Sequence, residues 1–453
     1  FSINTKNCKM LKKKHIYIPI EILVREINPK ILFSFISALK NYRVYIGTKT
    51  GIDKILKKKK LLNKAGIFFY KSQIINNRPY IKEIKKVCEK FVVLDEELGV
   101  SVANLNFTLN KRAINIEEID YFFVIGKKMM KKLEQYNIYF KKISVVTGWL
   151  KYDIYKNKYI NLFKSEIDYI KKNYGSYYLF SSNYGALSKK GLLSRVKKDP
   201  KLKEYKNFQK KENNYHTFLD SIKDFRYLKK KLLLFLKKNP SFKLVIRPHP
   251  ADEKQEDWKI FESFENVKVI NKFDIIPWII SSKGIIHRGC STSIDAFLLN
   301  KPIFFFKPNR KLKKSEKNLT YKISRKINDF SKIEDKKFIN IRNIKMIKNE
   351  IKFDKATTSK IIINYLNRLK ITKEYPIKFN IYENFFNYLV PLLGNIKLKI
   401  QSIFKNEKIV KSQKIHRFYN LNEFRKKIDL INSEKNLINV REVTREVFEI
   451  EKT

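Results

Sequence analysis

Short runs of consecutive apolar residues alternate with longer helical patterns along most of the chain. Between the first two runs, Ile31, Phe35, Ala38 and Leu39 share one face of a helix. Strands that are apolar at consecutive positions are buried on both faces, as in a parallel sheet covered by helices. The pattern therefore predicts a Rossmann-like, doubly wound α/β domain over residues 1–150. Its strands read HIYIPI (15–20), RVYIGT (43–48), GIFFYKS (66–72), FVVLDEE (91–97), YFFVIG (121–126) and ISVVTG (143–148).

The same alternation starts again after residue 150 and predicts a second Rossmann-like domain over residues 151–345. Two such domains in succession predict an interdomain cleft that both face. After about residue 345 the pattern shows charged helical segments, so residues 346–453 are predicted to form a helical C-terminal extension. The strands of the second domain are predicted at 176–182, 242–248, 267–271, 284–289 and 302–308, with helices at about 218–239, 253–264, 274–282 and 292–300.

The net charge of +54, from 98 Lys and Arg against 44 Asp and Glu, raises the question of an anionic partner. The lysine runs are scattered, as at 12–14 and 57–60, and they are not interleaved with aromatic residues as a base-stacking surface would be. We interpret most of them as solvated helix faces and expect no nucleic-acid partner. A positive surface still favours nucleotide phosphates and the anionic inner face of a membrane.

The cysteines Cys8, Cys88 and Cys290 have unrelated spacings, which fit neither a disulfide framework nor a zinc site. A reducing compartment is the default for such a chain, so we expect a cytoplasmic protein. The N-terminal stretch FSINTKNCKMLKKKH lacks the apolar core of a signal peptide.

His249 lies between two prolines at the end of a predicted strand, in VIRPHP (245–250). Pro248 and Pro250 restrict the backbone, so His249 is held extended at the strand tip. An imidazole beside the Arg247 guanidinium can hold a phosphate whose charge grows as a bond breaks. The alternative is a strand end followed by a helix cap. We favour donor contacts for Arg247 and Pro250 and a catalytic role for His249.

A second polar cluster follows the strand at 284–289, in GIIHRGCSTSIDAFLLNKPIFFF (284–306). Its Thr292-x-x-Asp295 spacing fits a capping box, and the N–H groups of such a helix end attract anions. Ordinary capping accounts for part of the stretch, but it needs only one hydroxyl. We predict that four side chains contact the donor: His287, Ser291, Thr292 and Ser293.

Three carboxylates, Asp95, Glu96 and Glu97, follow the strand at 91–97. Repulsion among them raises the pKa of at least one, which suits a general base that takes a proton from a sugar hydroxyl. The alternative, which the sequence leaves open, is a surface acidic turn that offsets nearby lysines.

Glu21, Arg25 and Glu26 follow the first strand, where a glycine-rich dinucleotide loop would otherwise stand. No GxGxxG motif is present, which argues against a nicotinamide or flavin enzyme. HExxH, GxSxG and P-loop motifs are missing as well, which excludes three further enzyme classes. The three side chains are candidates for binding an acceptor, although Arg25 and Glu26 can instead pair with each other at the domain surface.

Taken in order, several stretches resemble the two-domain, GT-B type transferases of bacterial surface carbohydrates, in particular the surface carbohydrate biosynthesis protein family. The resemblance covers roughly residues 15–308, about two thirds of the chain. It rests on IYIPIEILVREINPKILFSFISAL, VVLDEELG, IDYFFVIG, VVTGWLKYD, LFSSNYG, VIRPHP and HRGCSTSIDAFLLNKPIFF.

The motifs are also similar to those of bacterial sialyltransferases and capsular Kdo transferases. In those families an acidic D/E-D/E-G motif holds the general base, while a His-Pro motif and a Ser/Thr motif hold the CMP of the donor. The resemblance implies that His249-Pro250 and the 291–293 hydroxyls hold the donor here. Leu98 separates Glu97 from Gly99, so the acidic motif is imperfect and the choice of base stays open.

Residues and resemblance together predict an inverting glycosyltransferase that needs no metal ion and no cofactor. The donor is a CMP- or UDP-linked sugar, with a CMP-nonulosonate favoured, and the acceptor is a glycan or a lipid-linked glycan. Peripheral contact with an anionic membrane is a further expectation. The open alternatives are a UDP-sugar 2-epimerase-like enzyme or a glycerol- or ribitol-phosphate transferase of the same fold, and a non-enzymatic basic binding protein.

Overall fold

The structure of the chain is a computed structural model. It describes residues 12–59, 65–71, 78–96, 98–99, 116–156, 158–184, 213–249, 257–333, 341–353, 357–380 and 418–453, together with 382, 385, 386 and 389.

The described chain divides into two compact units. Unit 1 comprises Phe1–Leu162 and Lys348–Thr453, and unit 2 comprises Phe163–Ile347. The first boundary lies twelve residues after the predicted one at 150, and the C-terminal segment belongs to unit 1. The described strands are β1 (Lys14–Ile20), β2 (Tyr42–Thr48), β3 (Ile67–Tyr70), β4 (Lys90–Leu94), β5 (Tyr121–Val124), β6 (Ser144–Val146), β7 (Tyr178–Ser181), β8 (Leu244–Arg247), β9 (Val267–Val269), β10 (Gly284–His287), β11 (Ile303–Phe306), β12 (Arg325–Ile327), β13 (Ile438–Thr444) and β14 (Val447–Lys452).

Helices connect most of these strands. They are α1 (Leu23–Leu39), α2 (Lys49–Lys59), α3 (Arg78–Lys85), α4 (Lys127–Tyr136), α5 (Phe140–Ile143), α6 (Lys151–Ile154), α7 (Lys164–Tyr174), α8 (Asn213–Lys238), α9 (Ile275–Ser281), α10 (Thr292–Leu298), α11 (Leu319–Lys322), α12 (Ile341–Glu350), α13 (Thr358–Asn367) and α14 (Leu421–Ile431). The segment predicted as a helix at 253–264 contains a short 3₁₀ helix at Lys259–Ser263. None of the helices in the described ranges combines the length and apolar character needed to cross a bilayer.

Unit 1 is built on an eight-stranded sheet in the order β13-β14-β2-β1-β3-β4-β5-β6. The six strands from β1 to β6 are parallel, and β1 and β2 are buried along nearly their whole length. Unit 2 carries a six-stranded parallel sheet in the order β12-β11-β10-β7-β8-β9. The predicted pair of Rossmann-like α/β domains is therefore confirmed, while the cleft expected between them stays a prediction.

Helix α1 begins at Leu23, before the predicted face that starts at Ile31, so Pro29 lies inside the helix. Proline at that position removes one helical hydrogen bond. The helix keeps its course because it is buried from Glu26 to Ala38 against the sheet. Burial of this apolar face outweighs the local cost of the proline.

The sequence predicts a helical C-terminal extension, and this prediction is wrong in part. β13 and β14 form an antiparallel hairpin that pairs with β2 and extends the sheet of unit 1. The two strands mix apolar residues with charged ones, and the charges are paired within the sheet. Arg441 Nε lies 2.7 Å from Glu449 Oε1, and Arg43 Nη2 lies 2.5 Å from Glu451 Oε2. These paired charges gave the sequence the pattern of an exposed helix.

Phe448 on β14 attaches the hairpin to the core, because it is fully buried and its ring centroid lies 4.4 Å from that of Phe424 on α14. We expect Phe448→Ala to lower the free energy of unfolding by about 3–5 kcal/mol, since it leaves a cavity in a packed site. Urea unfolding followed by circular dichroism measures this. Leu437→Ala, at a position that is 74% exposed, is the control and should be neutral. Equal stability of the two variants would contradict the packing described.

Candidate functional site

In unit 1, β1 and β3 are neighbours although β2 follows β1 in the chain. The chain leaves these two strands in opposite directions, which opens a crevice at their carboxyl ends, where open α/β sheets bind ligands. Glu21 directly follows β1 and Lys71 directly follows β3, so both lie at this switch point. With Glu26 and Lys30 on α1 they form a group that we call the lysine–glutamate cluster.

Glu26 is the centre of the lysine–glutamate cluster and is almost fully buried. Its carboxylate lies 2.8 Å from Lys30 Nζ and 3.0 Å from Lys71 Nζ, and it accepts the backbone N–H groups of Glu21 and Ile22. Burial alone would raise the pKa of Glu26, but the two ammonium groups outweigh it and lower the pKa to about 2. Glu26 is therefore an anion that fixes the turn after β1.

Glu21 is the more accessible carboxylate of the lysine–glutamate cluster. It lies 2.9 Å from Lys71 Nζ and accepts a hydrogen bond from the Tyr70 hydroxyl at 3.1 Å. Burial opposes ionisation of Glu21, and the contacts with Lys71 and Tyr70 together lower its pKa. Arg25 is exposed on the first turn of α1. The pairing of Arg25 with Glu26 that the sequence left open does not form, since Glu26 pairs with the two lysines.

Glu96 is the second feature of this edge of unit 1. Asp95 directly follows β4 and is buried, and Glu96 is half-buried, whereas Glu97 lies outside the described residues. Desolvation raises the pKa of Glu96, and the charge of Glu26 raises it further, while Lys30 and Arg25 act in the opposite sense. The acidic motif and the residues after β1 are thus electrostatically coupled, although about seventy positions separate them.

In unit 2 the switch point lies between β7 and β10. Read from the other edge, the strand order β9-β8-β7-β10-β11-β12 is the 3-2-1-4-5-6 order of the Rossmann fold. Ser181 at the end of β7 pairs in register with Arg247 of β8 on one side and with His287 of β10 on the other. The two predicted donor motifs therefore follow strands that flank β7, and both lie at one edge of the sheet.

Hydroxyl groups bridge this switch point. Thr292 Oγ1 donates to Ser181 Oγ at 3.0 Å, and Ser181 Oγ lies 3.5 Å from Cys290 Sγ. Ser293 is buried and donates to the carbonyl of Cys290, whereas Ser291 is exposed. Two of the three predicted hydroxyls, at positions 291 and 292, therefore reach the surface of the crevice.

The capping box predicted from Thr292-x-x-Asp295 does not form. Ser291 is the N-cap of α10, with no side-chain cap, and Thr292 bonds across the sheet instead. His287 holds the turn before this helix: its Nδ1 accepts the N–H groups of Gly289 and Cys290 at 3.0 and 3.2 Å. Gly289 has a φ of +90°, which favours glycine at this turn.

His287 is fully buried, and its Nε2 lies 2.9 Å from Ser324 Oγ. Because Nδ1 accepts two N–H groups, the proton sits on Nε2. Burial and the neighbouring Arg288 lower the pKa of His287 to about 3, so the imidazole is neutral at neutral pH. Its hydrogen bonds give His287 a supporting role for the turn, in place of the direct donor contact predicted.

Arg247 is also committed to the protein. Its guanidinium donates to the carbonyls of Lys272 and Phe273 and lies over the Trp278 ring, 5.7 Å from its centroid. Burial lowers the pKa of Arg247 to about 10. Arg247 therefore holds the segment between β9 and α9, and its predicted contact with the donor stays a prediction. His249 is half-buried two residues beyond β8, and Pro250 lies outside the described residues.

No protein-family model matches the sequence, and no curated protein sequence matches it. Solved structures similar to the chain include UDP-GlcNAc 2-epimerases and a wall teichoic acid polymerase. The Methanocaldococcus jannaschii epimerase, in complex with UDP-GlcNAc and UDP, is 11% identical with a TM-score of 0.44, over 78% of this chain and 99% of that one. The Neisseria meningitidis epimerase bound to UDP-GlcNAc is 14% identical with a TM-score of 0.45, over 79% and 100%. A variant of the teichoic acid polymerase TagF is 11% identical with a TM-score of 0.46, over 79% and 89%. Resemblances at this level do not identify an activity or a ligand for this chain.

Sequence reasoning missed several polar residues at the two switch points. Ser181 is the last residue of β7 and Lys71 directly follows β3. Because open α/β sheets bind ligands beyond the carboxyl ends of their strands, both positions could have been selected from the sequence. A further group has no local signal, because it joins distant segments: Arg288 and Arg310 share the carboxylates of Asp224 and Glu316 at 2.7–2.9 Å. This group ties α8 to the segments after β10 and β11.

Glu26 should stabilise unit 1 only while it is ionised. Removing the negative charge takes an ion-pair partner from both buried ammonium groups and leaves Lys30 with the Pro19 carbonyl and Lys71 with Glu21, so Glu26→Gln should lower the free energy of unfolding at neutral pH by about 3–5 kcal/mol. A carboxyl whose pKa is lower in the folded chain stabilises the fold at pH values above its pKa in the unfolded chain, and this stabilisation is lost as pH falls. The difference in unfolding free energy between wild type and Glu26→Gln should therefore narrow between about pH 4.5 and 2. Urea unfolding at both ends of this range measures it. Glu83→Gln, in an exposed pair with Lys86, is the control. A constant difference at every pH would contradict the ion pairs.

His287 should make the fold sensitive to mild acid. Its pKa is lower in the folded chain than in the unfolded chain, so stability should fall as pH drops from about 6.5, by up to about 1.4 kcal/mol per pH unit. His287→Leu should remove this component, and it should cost about 1–3 kcal/mol for each N–H left without its acceptor. Unfolding free energies measured between pH 7 and about 4 report both effects. Ser291→Ala, exposed on the same turn, should leave the profile unchanged. If the unfolding free energy of His287→Leu fell with pH as steeply as that of the wild type, the neutral, buried state of His287 would be refuted.

Proposed function

We propose that the chain is a glycosyltransferase that takes a sugar from a nucleotide-activated donor. Unit 2 would hold the nucleotide phosphate at its switch point, and a carboxylate of unit 1 would deprotonate the acceptor hydroxyl. One observation supports this above the others: each Rossmann-like sheet has a polar site at its own switch point, and the two sites differ in chemistry. In unit 1 the ion-paired carboxylates of the switch point are coupled to Glu96, a carboxyl with a raised pKa after the neighbouring strand β4, and in unit 2 the switch point carries hydroxyls.

Glu96 is the carboxylate that best suits the role of general base. Its pKa is raised, which makes it a stronger base than an ordinary carboxylate, and its half-buried side chain can meet a substrate. Glu26 is less suitable, because two ammonium groups hold it as a weak base. The structure thus favours Glu96 over the acceptor-side carboxylates, while Asp95 and Glu97 stay open.

The reaction would proceed in one displacement. Glu96 takes the proton of the acceptor hydroxyl as its oxygen attacks the anomeric carbon of the donor. The bond between that carbon and the phosphate oxygen breaks, and the electron pair leaves with the nucleotide. His249 and the hydroxyls of Ser291 and Thr292 would stabilise the departing charge. Attack opposite to the leaving group inverts the anomeric configuration.

Supporting residues set the shape of this donor site. His287 holds the turn at Gly289 and Cys290, and Arg247 holds the neighbouring segment after β9. We favour a CMP-linked nonulosonate as donor, as the motif resemblance implies, with a UDP-linked sugar as the second candidate. The acceptor would be a glycan or a lipid-linked glycan, which Arg25 and Glu21 at the edge of unit 1 could contact.

A nucleotide screen combined with two variants tests this proposal. We expect CMP, or else UDP, to raise the melting temperature, because a ligand of the native state stabilises it. Thr292→Val should weaken binding of that nucleotide at least tenfold, because the crevice loses the hydroxyl that bridges to Ser181. Glu96→Gln should leave nucleotide binding unchanged but lower the rate at which nucleotide is released from the matching nucleotide sugar by about 10²–10⁴-fold. The wild-type rate should fall with decreasing pH as the base becomes protonated.

Ser165→Ala, exposed on α7 of unit 2, is the matched control and should change neither binding nor turnover. If none of CMP, UDP, GDP and CDP stabilises the protein, the donor site is refuted. Conversion of a UDP-sugar to its epimer without an acceptor would instead establish the epimerase alternative.

A further inference from the structure

Helix α8 presents a stripe of cations along its exposed side. Lys223, Arg226, Lys230 and Lys237 are all exposed, with Leu234 among them. Their spacing of three or four residues places them on one face of the helix, about 20 Å long at 1.5 Å per residue. The opposite face holds the buried residues Phe225, Leu228, Leu232 and Leu236 of the unit 2 core. The stripe is therefore a fixed feature of the surface.

An apolar groove runs beside this stripe, between α8 and the 3₁₀ helix at Lys259–Ser263. Its volume is about 610 Å³. Leu234 and Ile260 are 49% and 47% exposed there, although both are large aliphatic residues. We call this surface the basic groove; the nine described residues that line it include four cations and no carboxylate: Arg226, Lys229, Lys230, Leu233, Leu234, Lys237, Ile260, Ser263 and Phe264.

The carboxylates of α8 have cationic partners elsewhere. Asp220 lies 2.8 Å from Lys313 Nζ, and Asp224 lies 2.8 Å from Arg288 Nη2 on the inner side. Glu262 and Glu265 are exposed on the neighbouring segment, and two further lysines, Lys238 at the end of α8 and Lys259, are exposed as well. The charge around the groove is thus positive and suits an anionic partner.

We propose that the basic groove binds the surface of an anionic lipid bilayer. Exposed aliphatic side chains surrounded by lysines match such a surface, since the apolar residues enter the boundary of the acyl chains while the ammonium groups meet lipid phosphates. A nucleic acid would be expected to use aromatic planes for stacking, and the only aromatic residue lining the groove in the described chain is the half-buried Phe264. This inference is independent of the proposed transferase activity.

Binding of the full chain to vesicles tests the proposal. The protein should sediment with vesicles of phosphatidylcholine and phosphatidylglycerol at low salt, and not with phosphatidylcholine alone. Lys230→Gln with Lys237→Gln should weaken this binding by about 30-fold, as expected from two basic residues at an anionic surface. Leu234→Ser with Ile260→Ser should weaken it several-fold at the same net charge, which separates apolar insertion from charge attraction.

The matched control is Lys171→Gln with Lys172→Gln, which removes two exposed lysines from α7 of the same unit. All six positions are exposed, so thermal unfolding should match the wild type and report intact folding. Equal loss of binding in the α7 variant would overturn the proposal, because attraction would then come from the net charge of the whole chain. Binding to duplex DNA that is weakened by the same groove substitutions, without binding to vesicles, would overturn it in favour of a nucleic-acid partner.

Discussion

The structure depends on the burial of parallel sheets on both faces. A strand covered on both sides by helices must be apolar at consecutive positions, and β1 and β2 meet that demand along almost their whole length. In β1 and β2 the charged residues stand near the strand ends, at Lys14 and Arg43. At each switch point the connections diverge, and the polar groups of the two candidate sites lie at the carboxyl ends of the strands there. The location of the candidate chemistry follows from the demands of the core.

At both switch points side chains hold the turn after a central strand, but the two units use different side chains. Unit 1 places an ionised carboxylate between two ammonium groups, which holds the turn after β1 by charge. Unit 2 holds the turn after β10 with a neutral imidazole and places hydroxyls beside it. Burial raises the pKa of the neighbouring Glu96, and the fixed charges act on it in both senses, since Lys30 lowers it and Glu26 raises it. A region of neutral donors can accept an anionic phosphate without a competing carboxylate.

Most of the fold could be predicted from the sequence, because apolar runs mark buried parallel strands directly. The strands from β1 to β11 were predicted to within a few residues. Three strands were missed for identifiable reasons. β12 is only three residues long and carries two basic residues. In β13 and β14 the charges of Arg441 and Glu449 are paired within the hairpin, and such pairing is visible only when both strands are in place.

The candidate site was predictable in position but not in role. Arg247, His287 and Thr292 all lie at the sheet edge where strand ends were expected to bind ligand, yet two of them support the backbone. Which atom a buried arginine or histidine contacts depends on segments that the local pattern does not specify, such as the carbonyls of Lys272 and Phe273 for Arg247. Lys71 carried no motif and was overlooked, although it forms an ion pair with Glu26.

The support residues also explain why motif matching and chemistry differ here. An imidazole in a turn can serve a substrate only if its nitrogens are available, and both nitrogens of His287 already have protein partners. His249 is different, because it is half-buried beyond the end of β8 and precedes Pro250, which restricts its backbone. A residue that meets the substrate must in addition reach the surface. His249, Thr292 and Glu96 are each partly exposed, and they are the side chains through which we propose that this fold acts on a substrate.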